Sequence, residues 1–228
     1  MSGVHYYKCD LTDTDAIVSI SAQIRNAHGT PSVLINNAGI GWGKTVLDTT
    51  NEEVEAIVKI NLISHFVLIK EFVPGMLKAR KGHVVTMASM ASFAAVPGLV
   101  DYAVTKVGIM ALHEGKCCEA SNSSLLTRTG LRNELITAYE NGDCVNMTVV
   151  HPGWHSTGIT KPFEQRLKTQ KGVEFDPAIN TAEAVVKQVL AGKSGSLFVP
   201  KELSKSSGSR RLPIWLQDLL VIKRGVLA

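Results

Sequence analysis

His83-Val84-Val85-Thr86-Met87-Ala88-Ser89, followed thirteen residues after the serine by Tyr102-Ala103-Val104-Thr105-Lys106, carries both a strand and the start of a helix. Residues 83–87 lack the polar alternation of a half-wet strand, so they read as a strand covered on both faces. The same pattern recurs on either side. Val33-Leu34-Ile35, Asn146-Met147-Thr148-Val149-Val150 and Leu197-Phe198-Val199 are short apolar runs, and Val4-His5-Tyr6-Tyr7-Lys8-Cys9 is rich in β-formers. Helical spacing lies between them: Ile17, Ile20 and Ile24 within 13–27, then Val54, Ile57, Val58, Asn61, Leu62 and His65 within 52–76. Further helices are expected from Asp101 onward and over 181–191. Strands alternating with helices predict a parallel sheet wrapped on both sides, an α/β fold. Such sheets bind ligands at the carboxyl ends of their strands, here just after Cys9, Ile35, Met87 and Val150.

Composition narrows the classes. The 228 residues, 45% hydrophobic and 19% charged, suit one large globular domain. The longest apolar runs are too short to span a bilayer, and the opening residues do not read as a signal peptide. An intracellular location is therefore expected. Cys9, Cys117, Cys118 and Cys144 show no Cys-x-x-Cys spacing and are expected as free thiols. His151 and His155 are separated by Pro152-Gly153, which breaks the helix a metal pair would need; no metal site is expected. Residues 201–228 carry six basic and two acidic side chains, the whole net charge of +4. A basic tail on a neutral body is not the broad basic face of a nucleic-acid binder.

The polar residues at the strand ends carry chemistry. Asn36-Asn37-Ala38-Gly39 follows one strand; its small residues allow backbone to approach a flat ligand, and its asparagines can brace a neighbouring strand end. Ser89 follows the next. Tyr102 and Lys106, four apart on one helix, share a face. An ammonium beside a phenol lowers its pKa from about 10 towards neutrality, and such a phenol can exchange a proton with a substrate oxygen as hydride moves at the adjacent carbon. Taken by itself, Tyr-x-x-x-Lys is frequent enough to be a chance surface pair. The ordered set is not: Asn36-Asn37-Ala38-Gly39, a helical Asn61, Ser89, Tyr102 with Lys106, and Pro152-Gly153 each fall at the expected strand end or helix.

This set resembles the short-chain dehydrogenase/reductase family over roughly residues 4–200. Leu47-Asp48-Thr49-Thr50, Gly82-His83-Val84-Val85-Thr86, Val100-Asp101-Tyr102 and His151-Pro152-Gly153-Trp154 are most like its retinol and 17β-hydroxysteroid dehydrogenase-type members. The resemblance implies a Rossmann-like doubly wound parallel sheet and an oxidoreductase that interconverts an apolar alcohol and a carbonyl with NAD or NADP. It implies Tyr102 as general acid/base, Lys106 as its pKa-lowering neighbour and nicotinamide-ribose ligand, Ser89 as the residue orienting the substrate oxygen, and Asn61 as holder of a relay water. Asp10 would contact adenine. Asn36, Asn37, Ala38 and Gly39 would border the adenosine ribose, and Pro152, Gly153 and Thr157 the nicotinamide.

Two departures qualify this. Residue 1 falls where the family has its third strand, so the first two strands and the Thr-Gly-x-x-x-Gly-x-Gly turn that cradles phosphates are missing from the expected pattern. Val33–Ile35 should then be an open sheet edge. Residues 116–130, Ser-rich and without helical period, interrupt a helix. With them deleted, Ile109, Leu112, Leu131 and Leu135 form one apolar stripe. They read as a non-native insertion, an unspliced intron, with a genuine loop insertion as the alternative: Gly115-Lys116 can be encoded through GTAAG, Leu126-Thr127 through CTAAC and Thr129-Gly130 across a terminal CAG. The expected organisation is a truncated dinucleotide-binding domain over 1–200 and a basic, apolar tail over 201–228. The tail, through 212–224, could lie on a lipid surface, close over the substrate pocket or pack as a terminus. A homo-oligomer is compatible with all three. Two other functions compete with the oxidoreductase: a catalytically dead fragment serving as an interaction module, and a phosphate-loop nucleotide hydrolase. The second is suggested by Ala38-Gly39-Ile40-Gly41-Trp42-Gly43-Lys44-Thr45, which nearly fits Gly-x-x-x-x-Gly-Lys-Ser/Thr with Ala38 in the first Gly position, but 46–51 reads as loop where that motif demands a helix.

Overall fold

The computed structural model describes residues 3–113, 130–171, 173–213 and 215–216. In chain order these form α1 (Thr14–His28), β1 (Val33–Asn36), α2 (Asn51–Val58), a π turn (Lys59–Ile63), α3 (Ser64–Lys78), β2 (Gly82–Met87), α4 (Val100–His113), α5 (Leu131–Ala138), β3 (Val145–Pro152), α6 (Lys161–Lys171), α7 (Ala178–Leu190) and β4 (Gly195–Val199). A 3-10 helix follows over Lys201–Arg211. The starts are capped as the sequence suggests. Asp13 accepts from the amides of Asp15 and Ala16 at α1, and Thr50 and Glu53 form a capping box at α2.

The strands lie in the order β1-β2-β3-β4, all parallel. Alternation along each strand sorts the core onto two faces. Val84 and Met147 meet Ile69, Phe72, Val73 and Met76 of α3, and Val149 meets Ile109 of α4. Val85 and Val150, one residue out of phase, meet Val185 of α7 on the opposite face. In the β1–β2 register Val33 and Ile35 share the α7 face with His83 and Val85. At β1 that face is exposed, 36% at Val33 and 49% at Ile35, and β1 stands at the end of the strand order, so among the described residues it is the expected edge.

The expectations differ from the structure in four places. Residues 4–9 form no strand. They run beside α1 instead, with the Tyr7 hydroxyl 2.8 Å from His28 Nε2 and the His5 and His28 rings 4.2 Å apart. β-forming side chains hold a strand only when the backbone finds a ladder partner, and no described strand lies beside this one. The expected single helix over 52–76 is divided by the π turn. The helix α6 and the 3-10 helix carry too little apolar periodicity to have been read from sequence. Leu112, Leu131 and Leu135 do pack in one cluster, while Ile109 packs in the adjacent one against Ala88 and Val149. The expected insertion at 116–130 lies outside the described residues except for Gly130, as does the tail beyond Leu216. No helix among the described residues is long and apolar enough to cross a membrane.

Candidate active site

Three strand ends and one helix converge. The chain leaves β1 at Asn36 and runs without regular structure to Thr45. Its position is fixed by Asn61, which is 0% exposed and sits in the middle of the π turn. Asn61 Oδ1 accepts from the Ile40 amide at 2.8 Å, while Nδ2 donates to the Ile40 carbonyl at 2.9 Å and to Thr105 Oγ1 at 3.2 Å. The side chain thus imitates a strand partner for Ile40 and ties that loop to α4. π turns displace a side chain from the regular helical ladder and are frequent at functional sites.

Lys106 of α4 is 2% exposed and donates from Nζ to the Met87 carbonyl at the end of β2, 2.7 Å away. A Cβ on Gly39 would stand 3.5 Å from Nζ and from Asn61 Oδ1, so the absence of a side chain keeps the approach to Lys106 open. Burial pulls the ammonium pKa down to about 8. Nζ lies over the Tyr102 ring, 5.4 Å from its centroid. Burial pushes the Tyr102 phenol up, opposed by a hydrogen bond with the Ser89 side chain. This corrects the expectation of a phenol drawn towards neutrality: desolvation dominates, and the lysine spends a donor on Met87. The contact between Ser89 and Tyr102 agrees with a shared oxygen ligand. Ser89 follows β2 and caps the short turn Met90–Ser92, accepting from the Ala91 amide at 3.1 Å. Ser92, wholly buried, donates to the Lys106 carbonyl at 2.9 Å and locks that turn onto α4.

At the end of β3, the Gly153 amide donates to the Val199 carbonyl at 2.8 Å, and a Cβ on Gly153 would lie 2.8 Å from Leu203 Cδ1. Pro152 pairs with Val199 in the β3–β4 register. Thr157 belongs to a turn in which its carbonyl accepts from the amides of Thr160 and Lys161. Sequence reasoning missed two neighbours. His151, 0% exposed, stacks on Phe198 with centroids 4.8 Å apart and places Nδ1 3.5 Å from the Ser89 carbonyl. Ile159 Cγ2 stands 3.2 Å from where a Gly41 Cβ would be, and Tyr102 Cδ2 is 3.5 Å from the same point. His151 entered the sequence reading only within His151-Pro152-Gly153-Trp154 and as half of a dismissed metal pair, and Ile159 belongs to no motif, so neither was marked for this site.

The remaining expected residues lie along the β1 side. Asn36 is 3% exposed, and neither atom of its amide meets a hydrogen-bond partner; the bracing expected of it is done by Asn61. Asn37 and Ala38 are exposed. Asp10 is exposed too, accepting from the amide and hydroxyl of Thr12, both at 2.8 Å, which holds its carboxyl below the usual range. The phosphate-loop look-alike ends in Lys44 paired with Glu53 Oε1 at 2.5 Å, and a turn rather than a helix follows it. That lysine is committed elsewhere.

Comparison with known proteins agrees with this geometry. The family model described as short chain dehydrogenase matches residues 2–168. Dehydrogenase RED3 of Cochliobolus heterostrophus is 47% identical over 112 residues, covering 49% of this chain and 57% of that protein. Retinol dehydrogenase 10-B of Danio rerio is 31% identical over 187 residues, covering 82% of this chain and 49% of that protein. The chain thus spans about half the length of the curated relatives it matches. Among solved structures, a metagenomic short-chain oxidoreductase in complex with NADP is similar at 27% identity and a TM-score of 0.54, covering 76% of this chain and 71% of that one. A short-chain dehydrogenase from Streptomyces avermitilis shares the fold at a TM-score of 0.71 and 19% identity, covering 96% of this chain and 79% of that one. With its matched model spanning most of its length and its polar residues gathered at three strand ends, the chain belongs to the short-chain dehydrogenase family.

Proposed function

We propose that the chain carries the reacting half of an alcohol–carbonyl oxidoreductase that uses NAD or NADP and takes an apolar substrate. The observation that carries this reading is the convergence of Ser89, Tyr102 and Lys106 at the ends of β2 and α4, with Nζ of Lys106 anchored 2.7 Å from the Met87 carbonyl. The residues present suit the nicotinamide-ribose end of such a cofactor. Lys106 has ammonium donors beyond the one given to Met87, Gly39 leaves its approach clear, and the buried Asn36 amide has polar atoms free for a ligand or water. When bound, the nicotinamide supplies the hydride acceptor or donor. Tyr102 then takes a proton from the substrate hydroxyl or gives one to the carbonyl oxygen, and Ser89 hydrogen-bonds that oxygen. A ribose hydroxyl accepting from Lys106 would hold the ammonium beside the phenol and favour its ionised form. Asn61 fixes the loop at Ile40; its relay water, the Asp10 contact to adenine and the Thr157 contact to nicotinamide rest on family likeness.

A second observation limits what these 228 residues do by themselves. They contain no Thr-Gly-x-x-x-Gly-x-Gly turn, so no helix N-terminus with a glycine cradle grips the pyrophosphate. A polypeptide of these residues alone is therefore expected to bind cofactor weakly. Titration of NADH and NADPH fluorescence, with ATP as competitor, tests both points. Weak binding that ATP does not displace, and that Lys106→Ala abolishes, is expected. Displacement by ATP, or affinity unaffected by Lys106→Ala, contradicts the reading.

A further inference from the structure

His151 is a buried polar group that the catalytic reading leaves without a task. The β3–β4 register sets it directly opposite Phe198. Opposed side chains on one face of a sheet touch, and here the two rings stack at 24°. Phe93, which directly follows the Met90–Ser92 turn, closes the cluster: its ring centroid is 4.9 Å from His151 and 5.8 Å from Phe198. All three separations fall in the range of direct ring contact, so the imidazole has little freedom to turn.

The ring so fixed meets the turn that carries Ser89. The Ser89 carbonyl facing Nδ1 can only accept, so Nδ1 carries the proton. At 3.5 Å the contact is at the long limit of a hydrogen bond; the stack therefore holds the ring, and the donor decides where the carbonyl points. The same carbonyl accepts from the Ser92 amide at 3.0 Å, which occupies its second lone pair. On the side chain, Oγ accepts from the Ala91 amide and keeps its own proton for the Tyr102 oxygen. The direction of that proton depends on the turn 89–92, which Ser92 ties to α4 and His151 ties to the sheet.

We propose that His151 is a positioning residue: it fixes the Ser89 backbone, and through it the hydroxyl that meets the substrate oxygen beside Tyr102. This rests on Ser89 and Tyr102 being the reacting pair, but the tie itself can be read without turnover. In the parent, nitrogen NMR of the His151 ring should find the proton on Nδ1. A proton on Nε2 overturns the donor role. His151→Phe keeps a ring in the stack and removes the donor; His151→Leu, smaller and also without a donor, gives the same reading if the larger ring does not fit.

Two amides report on Ser89 directly, that of Ala91 on its hydroxyl and that of Ser92 on its carbonyl. In the full chain carrying His151→Phe, both should exchange with solvent about tenfold faster, with the amides of β2 and β3 unchanged. Parent-like exchange at 91 and 92, or equal acceleration through β2 and β3, overturns the positioning claim. Where turnover is measured, His151→Phe should lower kcat about tenfold and leave KM for substrate and cofactor within about twofold, because only the reacting geometry shifts. An unchanged kcat, or a rise in KM alone, overturns it too. Absence of turnover in the parent counts instead against the activity reading, while the exchange and NMR measurements still decide the tie.

Discussion

Asn61 and Lys106 show how single residues divide the labour at this site. Asn61 holds Ile40 by both its amide and its carbonyl. Asn61→Ala should strand those two backbone groups in a buried place and cost about 2–3 kcal/mol, read as a shift in urea midpoint. A loss below about 0.5 kcal/mol contradicts the bracing role. Lys106 pays for burial with a pKa of about 8 in the fold. Between that value and the ordinary lysine value of 10.5, the unfolded chain holds a proton that the folded chain has released, so stability should rise with pH across this window. The slope from one group is at most about 1.4 kcal/mol per pH unit. Lys106→Met should remove that increment; identical pH profiles for parent and variant would show the lysine is not buried as described. The sequence made Ser89, Tyr102, Lys106 and Asn61 legible through order and spacing. The stacking of His151 on Phe198 beside the Ser89 carbonyl was illegible, because it comes from which strands lie side by side, which spacing along the chain does not encode.

Among the elements, the helix pair α4 and α5 bears most directly on how the chain is organised. Leu112 of α4 and Leu131 and Leu135 of α5 share one cluster with α3 and β3. Joining residue 115 directly to 131 would place them on one helical stripe, which favours reading 116–130 as dispensable. Deleting 116–130 should leave the melting temperature equal or higher, because the described core residues of α4 and α5 are all retained and fifteen fewer residues need ordering. A fall of about 5 °C or more would mean the segment supports the fold. Sequencing of mature message should find the shorter form dominant; dominance of the longer form rejects the intron. The parallel strands were legible because apolar runs on both faces have few other homes. The break of 52–76 by the π turn was not, since Asn61 sits on an otherwise regular helical pattern. Residues 4–9 were misread because β-propensity reports the side chains and says nothing about whether a ladder partner is present.

Across the molecule, buried histidines couple stability to acid. Burial lowers His65 and His151 to about 4 and His113 to about 3. Their folded values lie below the ordinary 6.5, so the stability tied to their neutral forms is present above pH 6.5 and is lost as pH falls towards 4 and then 3. The urea midpoint should decline steadily below pH 6.5, and less steeply in His65→Leu. A flat profile from pH 7 to 4 contradicts this. The same molecule leaves Val33 and Ile35 exposed on β1, so concentration-dependent association is expected as well. All of these features frame one chemical claim, that Tyr102 exchanges the proton in a hydride transfer whose cofactor the chain grips weakly. The direct measurement is nicotinamide absorbance at 340 nm with an apolar alcohol or carbonyl, over cofactor concentrations extending to tens of millimolar, for the parent and Tyr102→Phe. The account predicts slow turnover that rises almost linearly with cofactor and falls by a factor of about 100 or more in Tyr102→Phe. No turnover at any concentration, or turnover that survives the loss of the hydroxyl, would contradict it.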